Sequence, residues 1–171
     1  DAIYIDDYVV KNFGTPTDTA DFSDMFFNVP LTVIADGFHI PEAIWNNGVV
    51  TLPIKASKII VGYQYTQRIE TMPLIKVSKE GGGIASTHQM KRWNKVYLRM
   101  IKSYMPTVNG ERPPERNVST PDDTPEPYID SFVQITPGLG WDRDAILTIE
   151  QELPFRMIIT GIYGEVGIEN I

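Results

Sequence analysis

Short apolar runs, separated by glycine, proline and aspartate, recur along the whole chain. Within them apolar residues either alternate with polar ones or follow one another, as in half-buried or fully buried β-strands. Seven runs have this pattern: Ile3–Val10, Leu31–Ile40, Val49–Ile54, Lys58–Tyr65, Tyr128–Ile135, Ala145–Leu153 and Phe155–Val166. Together with 13 prolines and 13 glycines, they predict an all-β protein, an antiparallel β-sandwich or barrel-like domain.

Residues 105–127 break this rhythm, because they hold six of the 13 prolines and few apolar side chains. Long loops of this kind either make contacts or are disordered. We therefore expect a proline-rich arm or loop here, within a single β-rich domain that covers residues 1–171. Since the sequence opens on Asp1-Ala2 without a methionine, we expect that domain to be a fragment of a longer chain.

The segment Lys91–Tyr104 is compatible with two secondary structures. A strand places Val96, Leu98 and Met100 on one face, and it places Trp93, Lys95, Tyr97, Arg99 and Ile101 on the other. A helix gathers a different apolar stripe: Trp93, Val96, Tyr97, Met100, Ile101 and Tyr104. A second helical candidate is Thr19–Phe27, where Thr19 can cap the first turn.

Two motifs predict turns, and one run predicts a strand that is covered on both sides. Asn46-Asn47-Gly48 precedes an apolar run, and asparagine and glycine tolerate positive φ. Asp142-Arg143-Asp144 is expected to make turn hydrogen bonds and an ion pair through Arg143. Phe155–Val166 is apolar on both faces, which predicts a central strand or an interface.

Charge is unevenly distributed along the sequence. Ten of the 15 lysines and arginines lie between Lys55 and Lys102, against only two carboxylates there. Residues 1–54 hold eight carboxylates and one lysine, and residues 103–171 hold twelve carboxylates and four arginines. If these segments form separate poles on the surface, identical copies can pack basic face to acidic face. The alternative is that folding interleaves the segments and removes the poles.

Composition excludes several kinds of chemistry. The chain has no cysteine, so it has no disulfide, thiolate metal site or thiol nucleophile. Its two histidines, His39 and His88, are isolated, and no motif for a nucleophile, a metal or a phosphate surrounds them or Gly81-Gly82-Gly83. No apolar run approaches the roughly 20 residues of a membrane span. We therefore expect no enzyme, no cofactor and no metal site.

The strand interpretation of Lys91–Tyr104 leaves a set of exposed aromatic and basic residues. The candidate residues are Lys91, Arg92, Trp93, Lys95, Tyr97 and Arg99. Tryptophan, tyrosine and arginine are the usual anchors of protein interfaces, and the same residues also suit single-stranded nucleic acid. Because acidic segments of the same chain are available as partners, we favour a subunit interface.

The order of several short motifs resembles the tail nozzle (tail tubular) proteins of short-tailed bacteriophages. The first motifs are Asp36-Gly37, Gly48, Leu52-Pro53, Val61-Gly62-Tyr63-Gln64-Tyr65, Pro73-Leu74 and Lys91-Arg92-Trp93-Asn94-Lys95-Val96. The later ones are Ser103, the proline-rich stretch, Gly140-Trp141-Asp142-Arg143-Asp144, Ile149-Glu150-Gln151 and Pro154. The resemblance spans roughly residues 30–165 and also favours a strand at Lys91–Tyr104.

The resemblance implies a structural virion protein of the phage tail. Nozzle proteins of this family are long, mainly β chains that form a hexameric ring with other tail proteins around the DNA exit channel. Double-stranded DNA would pass through without specific binding, and acidic walls would reduce its adhesion. The alternative functions are a receptor- or glycan-binding module and a nucleic-acid-binding β-sandwich.

Overall fold

The computed structural model describes residues 5–24, 31–75, 89–112, 129–138 and 140–169. All strand pairings are antiparallel, and the described residues contain no helix, which confirms the all-β prediction. The strands are β1 (Ile5–Asp21), β2 (Thr32–Ala35), β3 (Phe38–His39), β4 (Ile44–Asn46), β5 (Val49–Gln64), β6 (Gln67–Glu70), β7 (Lys91–Met100), β8 (Thr107–Val108), β9 (Phe132–Ile135), β10 (Thr148–Gln151) and β11 (Ile159–Ile168).

The chain divides into two compact units. Of the described residues, the first comprises 5–24, 31–66 and 152–155, and the second comprises 67–75, 89–112, 129–138, 140–151 and 156–169. The first unit contains one five-stranded sheet in the order β1-β5-β2-β3, with β4 also paired to β5. The second unit contains two three-stranded sheets, β6-β10-β8 and β11-β7-β9.

The first unit is built on a long ribbon of β1 and β5, which are 17 and 16 residues long. The pairing is irregular between Asn12 and Thr17. Val50 and Val61 belong to one buried cluster although eleven positions of β5 separate them. A straight strand rises about 3.3 Å per residue, yet the Lys11 ammonium donates a hydrogen bond to the carbonyl of Asp21, ten positions further along β1. The ribbon therefore bends, and its two halves contribute to one core.

Three two-residue turns connect neighbouring strands or bridges, and in each both residues have positive φ. Asn47 and Gly48 have φ values of 48° and 86° between β4 and β5. The equivalent values are 48° and 95° at Asp36-Gly37, and 50° and 80° at Asn109-Gly110. This backbone matches the right-handed twist of paired strands, and asparagine, aspartate and glycine adopt it most readily. The turn predicted at Asn46-Asn47-Gly48 is confirmed.

The two sheets of the second unit share one hydrophobic core. Their inner faces contribute to one buried cluster, whose fully buried members are Val96, Leu98, Met100, Val108, Leu147 and Ile149. The first three lie on β7, whereas Val108 lies on β8 and Ile149 on β10. This core holds β7 and its neighbours in place, so the opposite face of the β11-β7-β9 sheet is a fixed surface.

The structure settles one open alternative in secondary structure and corrects one expectation. Residues Lys91–Met100 form a strand, so the helical alternative there is wrong. The helix expected at Thr19–Phe27 is also wrong over its described part, because Thr19 pairs with Thr51 at the end of β1. Residues 25–27 of that segment lie outside the described residues.

The strand predicted at Phe155–Val166 is shorter at its start and is not central. Strand β11 begins at Ile159 and lies at the edge of its sheet as the described strands pair. Ile159, Ile162 and Val166 pack against the core, whereas Tyr163 is 56% exposed. In a regular strand, residues three positions apart face opposite sides. The irregular pairing between Ile159 and Gly161 instead places Ile159 and Ile162 on the same face of the sheet.

The beginning of the expected proline-rich arm is part of the second unit. Met105 and Val108 are buried, β8 pairs with β10, and Glu111 forms a bridge with Val108. The Gln151 side chain donates a hydrogen bond to the carbonyl of Met105 at 3.2 Å. Residues 113–127 of the predicted arm lie outside the described residues.

Candidate interaction surface

The candidate surface is the face of the β11-β7-β9 sheet that points away from the core, here called the outer face. Directly paired residues share a face of a sheet. Tyr97 pairs with Tyr163 on one side and with Gln134 on the other. Two residues after Tyr97, Arg99 pairs with Phe132. Two residues before Tyr97, Lys95 pairs with Glu165. The strand register therefore brings together residues from three separate parts of the sequence.

An exposed aromatic pair is the most apolar feature of the outer face. Phe132 is 60% and Tyr163 is 56% exposed, and their ring centroids lie 6.0 Å apart. The Arg99 guanidinium lies 5.2 Å from the centre of the Phe132 ring. Exposed rings next to an arginine are enriched where proteins contact one another. The arrangement is suited to burial under a partner surface.

Two ion pairs flank the aromatic pair. Lys95 Nζ lies 3.6 Å from Glu165 Oε2, and Arg99 Nη1 lies 3.8 Å from Asp130 Oδ1. These side chains are 35–57% exposed, so each pair contributes about 0–1 kcal/mol to stability. In each pair the cation comes from the basic middle of the sequence and the carboxylate from the acidic last third. On this face, folding interleaves the charged segments and does not form a basic pole.

Trp93 and Lys91 do not belong to the outer face, so the expectation that they are exposed is wrong. Trp93 is 8% exposed, and its Nε1 donates a hydrogen bond to the carbonyl of Ala145 at 2.7 Å. Lys91 is 2% exposed, and its Nζ donates to the carbonyl of Arg143 at 2.5 Å. Both side chains tie β7 to the segment that precedes β10.

A β-bulge is the physical reason for this correction. Lys95 pairs with Glu165 and Trp93 pairs with Val166, so Asn94 is an extra residue on β7. An extra residue reverses the facing of every position beyond it. Trp93 therefore points to the core, as Val96 does, although the two positions differ by an odd number. Of the six predicted interface residues, Arg92, Lys95, Tyr97 and Arg99 remain accessible.

Beyond the bulge lies a cleft beside Trp141, which we call the Trp141 cleft. Trp141 is 43% exposed, and the Arg92 guanidinium lies 5.0 Å from the centre of its ring. The cleft has a volume of about 230 Å³. Its main lining residues are Arg92, Trp93, Trp141, Asp142, Ala145 and Ile146.

The turn beside this cleft is fixed by the Asp142 carboxylate. Asp142 Oδ1 accepts a hydrogen bond from the backbone N–H of Arg143 at 2.8 Å, and Oδ2 accepts one from Ala145 at 2.9 Å. The predicted turn hydrogen bonds are thus confirmed. The described part of the chain shows no ion pair for Arg143, contrary to expectation.

Other chemistry-bearing groups are not brought together. The part of the chain that the structure describes has no group of three or more metal-binding side chains. His39 lies beside Thr32 and Gln64 in a cavity of about 340 Å³, and burial lowers its pKa. The His39 Nε2 is 3.5 Å from the Thr32 hydroxyl, which donates to Gln64 Oε1 at 2.5 Å. His88, Gly81–Gly83 and Asp122-Asp123 lie outside the described residues.

Sequence reasoning missed Phe132, Tyr163 and Trp141 as surface features. Phe132 and Tyr163 lie inside runs that were predicted as strands, so their presence in the sheet was expected. Their alignment with Arg99 and Tyr97 could not be predicted, because strand register depends on partners that are distant in sequence. Trp141 was recognised only as part of a motif of the resemblance.

Comparison of the chain with protein-family models and with curated proteins finds no match. A search of the described residues for membrane-spanning helices finds none long and apolar enough.

Proposed function

We propose that this chain is a structural β-rich domain of a phage tail nozzle, located in the virion, where it forms part of the wall of the DNA exit channel. The motif order described above and the all-β architecture support this proposal. The observation that carries it furthest is the outer face of β7. There an exposed aromatic pair is framed by charged residues on a sheet that a packed core holds in place.

The composition of the outer face favours contact with another folded protein. Phe132 and Tyr163 provide apolar area, and Lys95 and Arg99 provide charges that already have intramolecular partners. A partner can bury the rings at the centre and leave the ion pairs at the solvated rim, as is typical of protein interfaces. In the proposed assembly this partner is a neighbouring copy of the chain or another tail protein.

The same geometry weakens the alternative of single-stranded nucleic acid binding. That alternative needs exposed aromatic rings next to free cations. Trp93 is buried and hydrogen-bonded, and Lys95 and Arg99 lie within 4 Å of carboxylates. The chain also carries a net charge of −7. A negative charge suits a channel wall that repels DNA phosphates and does not suit one that binds them.

Sedimentation velocity over a series of protein and salt concentrations tests the proposal. We expect the unaltered chain to form species larger than a monomer, and electron microscopy to show closed rings. The double variant Phe132→Ser/Tyr163→Ser should shift the distribution to monomer, because it removes apolar contact area without touching the core. The matched control is Tyr8→Ser, which replaces a ring that is 54% exposed in the first unit.

A monomer at every concentration and salt level would contradict assembly through this chain. Association that the double variant leaves unchanged would exclude the outer face as the contact. If Tyr8→Ser dissociates the assembly instead, the contact lies in the first unit.

A further inference from the structure

The Trp141 cleft shares no lining residue with the aromatic pair of the outer face. We propose that it binds one neutral pyranose ring of a glycan. The cleft combines three properties that such a ligand requires: an accessible indole, rigid walls, and a donor and an acceptor in the same lining. The proposal does not depend on the assignment to a tail nozzle.

The walls of the cleft are rigid because they are tied to β7 at several points. The backbone N–H groups of Lys91 and Asp142 donate to each other's carbonyls at 2.7 and 2.8 Å. The buried Lys91 ammonium holds the carbonyl of Arg143, and the Trp93 indole holds that of Ala145. A site that is ordered on folding loses little conformational entropy when it binds a ligand.

The indole of Trp141 provides the apolar part of the site. A pyranose ring has a face of C–H groups, which packs against an aromatic ring, and a rim of hydroxyl groups. Trp141 is 43% exposed at the cleft, and Ile146, 37% exposed, extends the apolar lining. Ligand sites typically combine such apolar walls with a few polar groups that fix orientation.

Arg92 and Asp142 provide the polar part of the site. Arg92 donates through Nε to the Asn94 side chain at 3.1 Å. Within the described residues, no hydrogen bond from its two terminal nitrogens is found. Each Asp142 oxygen accepts one backbone hydrogen bond and keeps a further lone pair. A hydroxyl group both donates and accepts, so the hydroxyl rim of a sugar can bind both kinds of side chain that line the cleft.

The two charged residues also exclude other ligands. An aliphatic side chain would displace water from the terminal nitrogens of Arg92 and from the remaining lone pairs of Asp142 without replacing those hydrogen bonds, which is costly. An anionic ligand would pair with Arg92 but would meet the Asp142 carboxylate and a chain of net charge −7. A neutral polyhydroxylated ring satisfies both groups.

Titration followed by NMR tests the proposal on the whole chain. The probes are the methyl pyranosides of glucose, galactose and N-acetylglucosamine. The chain has three tryptophans, and their indole N–H signals are resolved by ¹⁵N labelling. We expect at least one probe to shift the Trp141 signal with a dissociation constant on the order of 1–10 mM. The hydrogen-bonded Trp93 signal should move less.

Variants then separate binding from folding. Trp141→Ala should abolish binding, and Arg92→Met should weaken it about tenfold because it removes charged donors. The Trp93 signal shows that the cleft wall is still folded in both variants. Phe132→Ser/Tyr163→Ser should bind the sugar like the unaltered chain, because its substitutions lie on the outer face.

Three outcomes would overturn the proposal. The first is no saturable shift with any of the three probes, and the second is binding that survives Trp141→Ala. The third is a Trp141 signal that responds to protein concentration and not to sugar, which would mean that a second copy of the chain fills the cleft.

Discussion

Single glycines determine where the large aromatic side chains of the second unit lie. A Cβ atom added at Gly161 would lie 2.6 Å from Cε2 of Tyr163, so the tyrosine ring covers the space beside this glycine. A Cβ at Gly164 would lie 2.4 Å from Cζ3 of Trp93 and 2.5 Å from the carbonyl oxygen of Lys95. The first glycine therefore shapes the outer face, and the second makes room for the buried indole.

Gly164→Ala should destabilise the chain by about 1–3 kcal/mol, because the added methyl group collides with a buried ring and with backbone. Gly140→Ala is the matched control in the same unit. A Cβ there has nothing within 4 Å, so we expect a change within about 0.5 kcal/mol. Urea unfolding of the two variants measures the difference. Equal stabilities would mean that the Trp93 ring does not occupy the space beside Gly164.

At the scale of elements, two-residue turns fix the register of the hairpins. Gly48 and Gly110 both have positive φ, at 86° and 80°, so a side chain is strained at either position. Only Gly48 is also crowded, since a Cβ there would lie 2.5 Å from Cα of Ser23. Its carbonyl accepts a hydrogen bond from the backbone N–H of Phe22 at 2.6 Å. This turn therefore also anchors the end of β1.

Gly110→Ala and Gly48→Ala separate backbone strain from crowding. Gly110→Ala should cost about 1–2 kcal/mol, the usual penalty of a left-handed conformation with a side chain. Gly48→Ala should cost about 1–3 kcal/mol more, because backbone atoms have to move. Thermal and urea unfolding of both variants provide the measurement. A Gly48 variant no less stable than the Gly110 variant would disprove the contact with Ser23.

At the scale of the whole molecule, uneven charge along the sequence does not by itself produce charged poles. The ion pairs Lys95–Glu165, Arg99–Asp130 and Arg68–Glu150 each join the basic middle of the chain to its acidic end. They form because antiparallel pairing brings distant segments side by side. The cations of the outer face are therefore largely neutralised before any partner arrives.

We expect the chain not to retain duplex DNA at about 0.15 M salt, because binding of this kind requires cations that replace counterions on the phosphates. Filter binding with labelled duplex measures retention. The variant Asp130→Asn/Glu165→Gln removes the partners of Arg99 and Lys95 and should show the stronger retention at low salt. Tight, salt-dependent retention by the unaltered chain would contradict the proposed channel wall.

Strand positions could be predicted from sequence to a large extent. Alternation placed strands within the runs that became β5, β9, β10 and β11, and Asn46-Asn47-Gly48 marked a turn that is present. These features depend on side chains a few residues apart and on local φ preferences. The helix expected from Thr19 failed because pairing with β5 continues β1 through that position.

The sequence by itself therefore determined the fold class, most strands and the absence of cysteine chemistry, because these follow from composition and short-range periodicity. Tertiary structure alone decided which residues form the surface. The bulge at Asn94 turned Trp93 into the core, and strand register placed Phe132 beside Arg99 and Tyr163. Both depend on which strand lies alongside, and the free energy of that pairing comes from contacts between residues far apart in the chain.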